Sequence, residues 1–339
     1  MRELAETARR WVAEGRVAFL ARPVTEQGFG PRDPAGAVLV DPRGECVGAL
    51  YRGVFDAELV AEAGALDGDG DGNGNGNGDE DRDRARVCEL SVGAGEAVEA
   101  RLTCGGQAEV LLQPLAAVPE QWWELLGTGA GVALVTRLNE SADRAESRVV
   151  RVGGTPADDA ERRAGELLGT RRPGRDALYG GSGLVLVEAY PSAPHVVIGG
   201  AGELAEVIGA QAALLGWEAV AVESAAEAEK VLTAHRDAAC LVLLSHEPDF
   251  DVPALRTALA LGIPYVGALG SRRTTARRRE GLVAAGVREA ELARVHGPIG
   301  LDLGAKTPAE TALAICAEIL GVLGGREAQG LRDSDGPLR

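Results

Sequence analysis

Histidine, methionine and aromatic side chains are scarce in this chain of 339 residues: four His, one Met, and Phe, Trp and Tyr together at 4%. The histidines, His195, His235, His246 and His296, are scattered without ligand spacing, which argues against a histidine-ligated metal centre. Five cysteines, an odd number without regular spacing, do not make a disulfide framework and fit a reducing, cytoplasmic setting. No run of 18 apolar residues exists, so no membrane span is expected. The first 16 residues read as an amphipathic helix with charges throughout and not as a signal peptide. Cationic side chains are also in deficit. Lys and Arg number 35 against 51 Asp and Glu, and the net charge of −16 argues against nucleic acid or anionic membrane as a partner.

What is present is long enough for two domains, each with its own core. The first expectation is a strand-rich α+β domain over residues 1–190. Its strands are expected near 17–21, 37–40, 87–90, 98–102, 108–113, 131–136 and 184–188, with a loop over 28–34 and a helix carrying Trp122 and Trp123. Residues 67–84, rich in Gly, Asn and Asp, read as a disordered insertion. Within it Asp69, Asp71, Asn73, Gly74 and Glu80 fit a calcium-loop pattern, but repetitive sequence matches that pattern cheaply and the flanking helices are missing. Residues 139–183, rich in Arg, Asp and Gly, read as an irregular exposed excursion. A loose tail is expected over 326–339.

Residues 191–325 carry the clearest signal. The strand His195-Val196-Val197-Ile198 runs into Gly199-Gly200-Ala201-Gly202-Glu203, and Gly200-x-Gly202-x-x-Ala205 matches the dinucleotide fingerprint with a small third residue. A helix follows over 203–215, then a strand over 219–222 ending at Glu223, near the separation at which an acid meets a ribose hydroxyl. Glu203, in the first turn, disfavours an anion at that helix start. Strands at 240–244 and 264–268 alternate with helices near 225–235, 252–261, 274–285 and 308–323, the pattern of a doubly wound parallel sheet, Rossmann-like. The last helix starts at Thr307 as N-cap, with Pro308 at its first position and Glu310 closing a capping box.

Ligands of such sheets gather at the carboxyl ends of the strands. Ser245 and His246 follow one strand, and Gly270-Ser271-Arg272-Arg273 follows the next. Small residues, a hydroxyl and two cations there suit a phosphate or carboxylate. Arg277, Arg278 and Arg279 are read as mostly solvated. His296 opens a turn-rich segment in which Asp302 is a candidate ligand-facing carboxylate. Cys104-Gly105-Gly106 puts a thiol on a flexible turn, without a histidine or second cysteine nearby to lower its pKa.

Taken together these pieces resemble the XdhC/CoxI family, accessory proteins for molybdenum-cofactor insertion into xanthine dehydrogenase and aerobic carbon-monoxide dehydrogenase. The resemblance covers nearly the whole chain. It rests on Gly28-Phe29-Gly30-Pro31-Arg32, Cys104-Gly105-Gly106, Gly200-Ala201-Gly202, Ser245-His246 and Gly270-Ser271-Arg272-Arg273. Its strongest part is Pro298-Ile299-Gly300-Leu301-Asp302-Leu303-Gly304-Ala305, followed by Thr307-Pro308-x-Glu310 and Ala317-Glu318. It implies a chaperone that binds the molybdopterin cofactor, protects its sulfurated form and delivers it to an apo-hydroxylase, with a cysteine desulfurase and a second copy of the chain as further partners. The candidate cofactor-binding residues are Gly200, Gly202, Glu223, Ser245, His246, Gly270, Ser271, Arg272, Arg273, Asp302, Cys104, Gly105 and Gly106, with Cys104 as the molybdenum-proximal thiol, and a cleft between the domains is the expected site. The chain departs from the family at Tyr51-Arg52-Gly53-Val54, where relatives have Ser-Gly-Gly-Cys, at Glu203, where a histidine is usual, and at Thr274, where a basic residue is frequent. Two other functions remain open from the residues: an NAD(P)-dependent oxidoreductase using the glycine turn and Glu223, and a nucleotide-sensing protein whose first half recruits a partner.

Overall fold

The computed structural model describes residues 1–30, 35–68, 83–180, 183–326 and 329. The calcium-loop pattern, most of the 67–84 segment, Pro31-Arg32 and nearly all of the tail lie outside them. The chain divides into two units, Met1–Pro191 and Ser192–Arg339.

The first unit runs α1 (Ala5–Ala13), β1 (Phe19–Gly28), β2 (Val38–Val40), β3 (Cys46–Gly48), α2 (Asp56–Gly68), β4 (Arg86–Val92), α3 (Ala94–Glu99) and β5 (Gly106–Pro114). It continues through α4 (Glu120–Gly127), β6 (Val132–Leu138), β7 (Ala145–Arg151), α5 (Asp159–Gly169), β8 (Gly174–Gly180) and β9 (Gly183–Tyr190). These make two antiparallel sheets, in the orders β3-β2-β1-β5-β4 and β7-β6-β9-β8. The period of two along each strand decides what the sheets cover. Phe19 and Ala21 of β1, with Val110 and Leu112 of β5, face Leu59, Ala63 and Leu66 of α2. The alternate residues, Leu20 and Val24 of β1 and Leu111 of β5, face the second sheet. That sheet turns Ala133, Val135, Val187 and Ala189 outward against Ala160, Ala164, Leu167 and Leu168 of α5. The result is helix, sheet, sheet, helix.

Four expectations for this unit are corrected. Residues 98–102 do not form a strand: α3 occupies 94–99, started where the Glu96 carboxylate accepts the Gly93 N–H at 3.0 Å. The expected loop over 28–34 begins late, because β1 continues to Gly28. Pro23 is tolerated there because β2 pairs only with Phe19–Ala21 and the β5 register shifts between Pro23 and Thr25. The excursion over 139–183 is ordered as β7, α5 and β8. Its arginines and carboxylates line the outer faces and masked the buried stripe Ala160, Ala164, Leu167 and Leu168, which has helical spacing. The 67–84 insertion is narrower than expected: Asp67 and Gly68 close α2, and Ala145 donates to the Asp83 carbonyl while Ala85 donates to Asp143.

Between the two sheets lies one polar row. Arg22, fully buried, donates through Nη1 to Glu188 Oε2 and through Nη2 to Gln113 Oε1, with Thr136 Oγ1 3.4 Å from Nη1. Arg175 donates to Glu188 Oε1 at 3.0 Å, and the Tyr190 hydroxyl to the same oxygen at 3.1 Å. Burial alone would push the Glu188 carboxyl up, but the two guanidiniums and these hydrogen bonds outweigh it and hold the pKa below the usual range. The row joins β1 and β5 of one sheet to β6, β8 and β9 of the other.

The second unit contains β10 (His195–Gly199), α6 (Glu203–Leu214), β11 (Glu218–Val222), α7 (Ala225–Ala234), β12 (Ala239–Leu243), α8 (Pro248–Ala260) and β13 (Tyr265–Ala268). After these come α9 (Arg272–Ala284), α10 (Glu289–Leu292), β14 (Val295–His296) and α11 (Pro308–Leu323). All five strands are parallel, in the order β11-β10-β12-β13-β14. Val196, Ile198, Cys240 and Val242 face α6 and α11, whereas Val197, Leu241 and Leu243 face α7 and α8. This is a Rossmann-like doubly wound sheet. No helix among the described residues is long and apolar enough to cross a membrane.

A Glu188→Gln variant leaves two buried guanidiniums without a counter-charge, and we expect it to lose about 3–5 kcal/mol of stability in urea denaturation at neutral pH. A carboxylate whose pKa is lowered by folding stabilises the native state above its unfolded pKa, about 4.3, and that contribution is lost as pH falls through the lower folded value. Wild-type stability should therefore drop below about pH 4 with a component that Glu188→Gln lacks; identical acid limbs would contradict this.

Candidate functional site

In a parallel sheet of this strand order the direction of winding reverses between the first and third strands in sequence, here β10 and β12, and a crevice opens at their carboxyl ends. The Gly200 turn stands at that point. Gly200 donates its N–H to Val222 O at 2.9 Å, and Leu244 and Ser245 both donate to Gly199 O, at 2.8 and 3.1 Å. A Cβ on Gly200 would come within 3.3 Å of the Ser245 nitrogen. Gly200 and Gly202 have φ of 122° and 102°, backbone that favours glycine. Gly202 also caps α6 without a side-chain hydrogen bond, and Glu203 and Glu206 occupy the first turn, with Glu203 exposed. Two carboxylates beside these N–H groups oppose the positive end of the helix dipole.

Two strands further along the rim, after β13, the charge is opposite. α9 begins at Arg272, after Ser271, whose hydroxyl accepts the Thr274 N–H at 3.2 Å. No acidic residue lies in its first turn, and among the described residues neither Arg272 nor Arg273 has an ion-pair partner; both are exposed. Helix dipole and guanidiniums thus favour an anion at α9.

Arg278 holds these loops together. It is only 7% exposed, against the expectation that this arginine run is solvated. Its Nε donates to Asp251 Oδ2 at 2.7 Å, Nη1 to the Leu269 carbonyl, and Nη2 to the Ser245 carbonyl, with His246 Nδ1 3.4 Å from Nη2. Arg278 has only donors, so His246 Nδ1 is the acceptor and the imidazole carries its proton on Nε2. Gly270, with φ of 147°, passes so close that a Cβ would sit 3.2 Å from Arg278 Nη1. One side chain therefore brings together Ser245, His246 and Gly270. Its sequence signal was the helical period: Arg278 lies four residues before buried Leu282, on the inner stripe.

Further along the rim, His296 ends β14, opposite Gly267 of β13. Its Nδ1 is 3.2 Å from Glu318 Oε1 on α11, and its ring stacks on Tyr265 with centroids 4.8 Å apart. Glu318 Oε2 also accepts the Tyr265 hydroxyl and the Gly300 N–H, the latter at 2.9 Å. Tyr265 and Glu318 form a polar group for which no role followed from the sequence. Glu223 is exposed at the end of β11, its N–H held by Glu227 at 3.0 Å, beside the Gly200 turn. Asp302 is exposed in a loop against α11, where Leu301 donates to Ala314 O, and no described hydrogen bond ties it to the rim.

Cys104, Gly105 and Gly106 lie in the first unit. Phe29 donates its N–H to Gly105 O at 3.1 Å and stacks on Tyr51 with centroids 4.0 Å apart, so the segment after β1, the Tyr51 turn and the Cys104 turn meet. Cys104 is exposed. Tyr51 and Arg52 have φ of 49° and 61°. In the resemblance a glycine stands where Arg52 does, and the left-handed backbone is the reason a glycine suits it. A cleft of about 570 Å³ next to this cluster is lined by Glu26, Glu89 and Glu109, a poor receptor for phosphate. No group of three or more His, Cys, Asp or Glu side chains among the described residues is arranged to hold a metal ion.

A family model described as the XdhC Rossmann domain matches residues 196–319. YqeB of Escherichia coli (strain K12), an uncharacterized protein, is 31% identical over 44% of this chain and 32% of its own, so the chain spans about a third of that relative. A solved structure from Bacillus halodurans, described as a xanthine dehydrogenase, covers 98% of both chains with a TM-score of 0.63 at 18% identity, a likeness of fold.

Arg278→Met leaves Asp251 buried without a counter-charge and should cost about 3–5 kcal/mol in urea denaturation. Adding Asp251→Leu should restore much of that loss; an additive double variant would contradict the pairing. Arg52→Gly relieves a left-handed non-glycine residue and is expected to raise stability by about 1 kcal/mol; an unchanged denaturation midpoint would count against strain at this turn.

Proposed function

We propose that this chain, whose residues 196–319 match the XdhC Rossmann domain, is a maturation factor for molybdenum hydroxylases of the xanthine dehydrogenase type, binding the molybdopterin cofactor and handing it to the apoenzyme. The observation that carries this reading is the charge pattern along the rim. An anion is favoured at the start of α9, beside Ser271, Arg272 and Arg273, and disfavoured at α6, beside Glu203 and Glu206. A pterin with a terminal phosphate suits that pattern: the phosphate at α9, the ring system along the crevice lined by Gly200, Ser245 and His246. A dinucleotide centred on α6 would bring its pyrophosphate against two carboxylates.

Cys104, in the first unit, is an exposed thiol, a soft ligand of the kind that suits molybdenum. Gly105 and Gly106 supply its turn. The partners that follow are the apo-hydroxylase as recipient, a cysteine desulfurase as sulfur source, and a second copy of the chain. Asp302 and Glu223 are left as contacts to the organic part of the cofactor, Glu223 as acceptor of a ribose hydroxyl where the cofactor is a dinucleotide.

A second reading, an NAD-dependent oxidoreductase, is favoured by the Gly200-Ala201-Gly202 turn followed by Glu223 at the end of β11. The Glu223 carboxylate would repel the 2′-phosphate of NADP, so NADH is the ligand that tests it.

Purified protein mixed with molybdenum cofactor released from a xanthine dehydrogenase and passed through gel filtration should carry pterin fluorescence and molybdenum with it. Arg272→Glu combined with Arg273→Glu should weaken that binding at least about tenfold. Retention of NADH without retention of pterin would overturn the maturation reading in favour of the second.

A further inference from the structure

The Glu318 carboxylate is more heavily hydrogen-bonded than a loop anchor requires. Tyr265 from β13, Gly300 from the loop before α11 and His296 from β14 all donate to it. Burial raises its pKa, but the bonds from His296, Tyr265 and the Gly300 N–H outweigh burial and hold it below the usual range. The carboxylate is ionised at neutral pH and has only lone pairs, so at its contact with His296 the imidazole is the donor. Nδ1 carries the proton. In the neutral ring Nε2 then has a bare lone pair, the orientation a carboxylate imposes on ligand-binding and proton-accepting histidines.

Three further facts place this imidazole on the rim. The His296 side chain is 31% exposed while its carboxylate partner is 16% exposed. The stacked Tyr265 ring fixes the imidazole plane. His296 is the last residue of β14 and so stands at the carboxyl edge of the sheet. The next residue, Gly297, lies so close to α9 that a Cβ there would be 2.9 Å from the Thr275 methyl, in the helix whose first turn carries Arg272 and Arg273. Three strand spacings, about 14 Å, separate β14 from β10 and the Gly200 turn. Gly300 already ties the loop to Glu318, so anchoring leaves the second ring nitrogen without a task.

We propose that His296 Nε2 is a ligand-binding acceptor on this rim, receiving the N–H of a heterocycle, an amide-type ring N–H of a pterin or nucleobase, whose phosphate is held at the start of α9. This deepens the cofactor-binding reading above and rests on it. Glu318 and Tyr265 are positioning residues: they fix tautomer and ring plane without touching the ligand.

His296→Asn tests the assignment, because the Asn amide can keep a donor on Glu318 while removing the acceptor. The variant and wild type are titrated with two probes, molybdenum cofactor released from xanthine dehydrogenase and GMP, whose guanine carries an amide-type ring N–H, so that a pterin and a nucleobase source are separated. The ring nitrogens of His296 are followed by ¹⁵N NMR. We expect Nε2 to be unprotonated in the free protein and to shift on adding the bound probe. The variant should keep the wild-type denaturation midpoint and bind about tenfold more weakly. Equal affinity of variant and wild type, or a proton on Nε2 in place of Nδ1, overturns this assignment alone. Binding of neither probe by wild type overturns both the assignment and the reading it rests on.

Discussion

A guanidinium taken out of water must find acceptors for its N–H groups and a negative charge for its own, and both units are organised around that requirement. Arg22 sits between two largely apolar sheet faces, and its two Nη groups find acceptors only when Glu188, Gln113 and Thr136 arrive from three different strands. Arg278 makes a similar demand in the second unit, met by Asp251 from a neighbouring helix and by carbonyls from two successive rim loops. Apolar packing would tolerate small slips of these loops and sheets. A buried cation tolerates far fewer, because any slip leaves charge or donors unpaired in a medium of low polarity.

In the second unit that intolerance reaches the site. Ser245 and Gly270 belong to separate loops, yet both are held against one side chain that touches no ligand in the reading offered here. The crevice between β10 and β12 follows from strand order, and its chemistry is set by what the helix starts carry. Glu203 and Glu206 at α6 and Arg272 and Arg273 at α9, two strands apart along the rim, give two helix dipoles opposite surroundings, so the rim has a polarity along its length and selects for a ligand charged at one end. The imidazoles add direction. His246 accepts from Arg278 at Nδ1 and His296 donates to Glu318 at Nδ1, so one presents a donor and the other an acceptor at Nε2.

Much of the second unit was legible because its signals are local. Strand, glycine turn, helix and terminal acid fall within 29 residues from His195 to Glu223, and the Thr307, Pro308 and Glu310 start of α11 rests on contacts within one helical turn. In the first unit the signals compete. The Val98–Leu102 run alternates like a strand, but Glu96 closing on Gly93 starts a helix that consumes its beginning. Residues 145–180 carry so many arginines and carboxylates that their composition resembles a surface loop, while Ala160, Ala164, Leu167 and Leu168 form an apolar stripe at helical spacing that packs inward. Composition averages over faces; a folded element does not.

The sequence by itself determined the Rossmann-like half, the glycine turn and the rim positions that follow each parallel strand, since all three depend on backbone angles and on neighbours within a few residues. Only the tertiary structure decided which charges are buried and whom they meet. Nothing local distinguishes Arg278 from Arg277 or Arg279 as a cation, nor Glu318 from any other helical carboxylate. Their roles come from pairing across 27 residues for Arg278 with Asp251 and 22 for Glu318 with His296, where removal from water makes the partner obligatory. Spacing in the chain carries no record of that distance in space: the helical period places Arg278 on an inner stripe but does not name Asp251 as its partner.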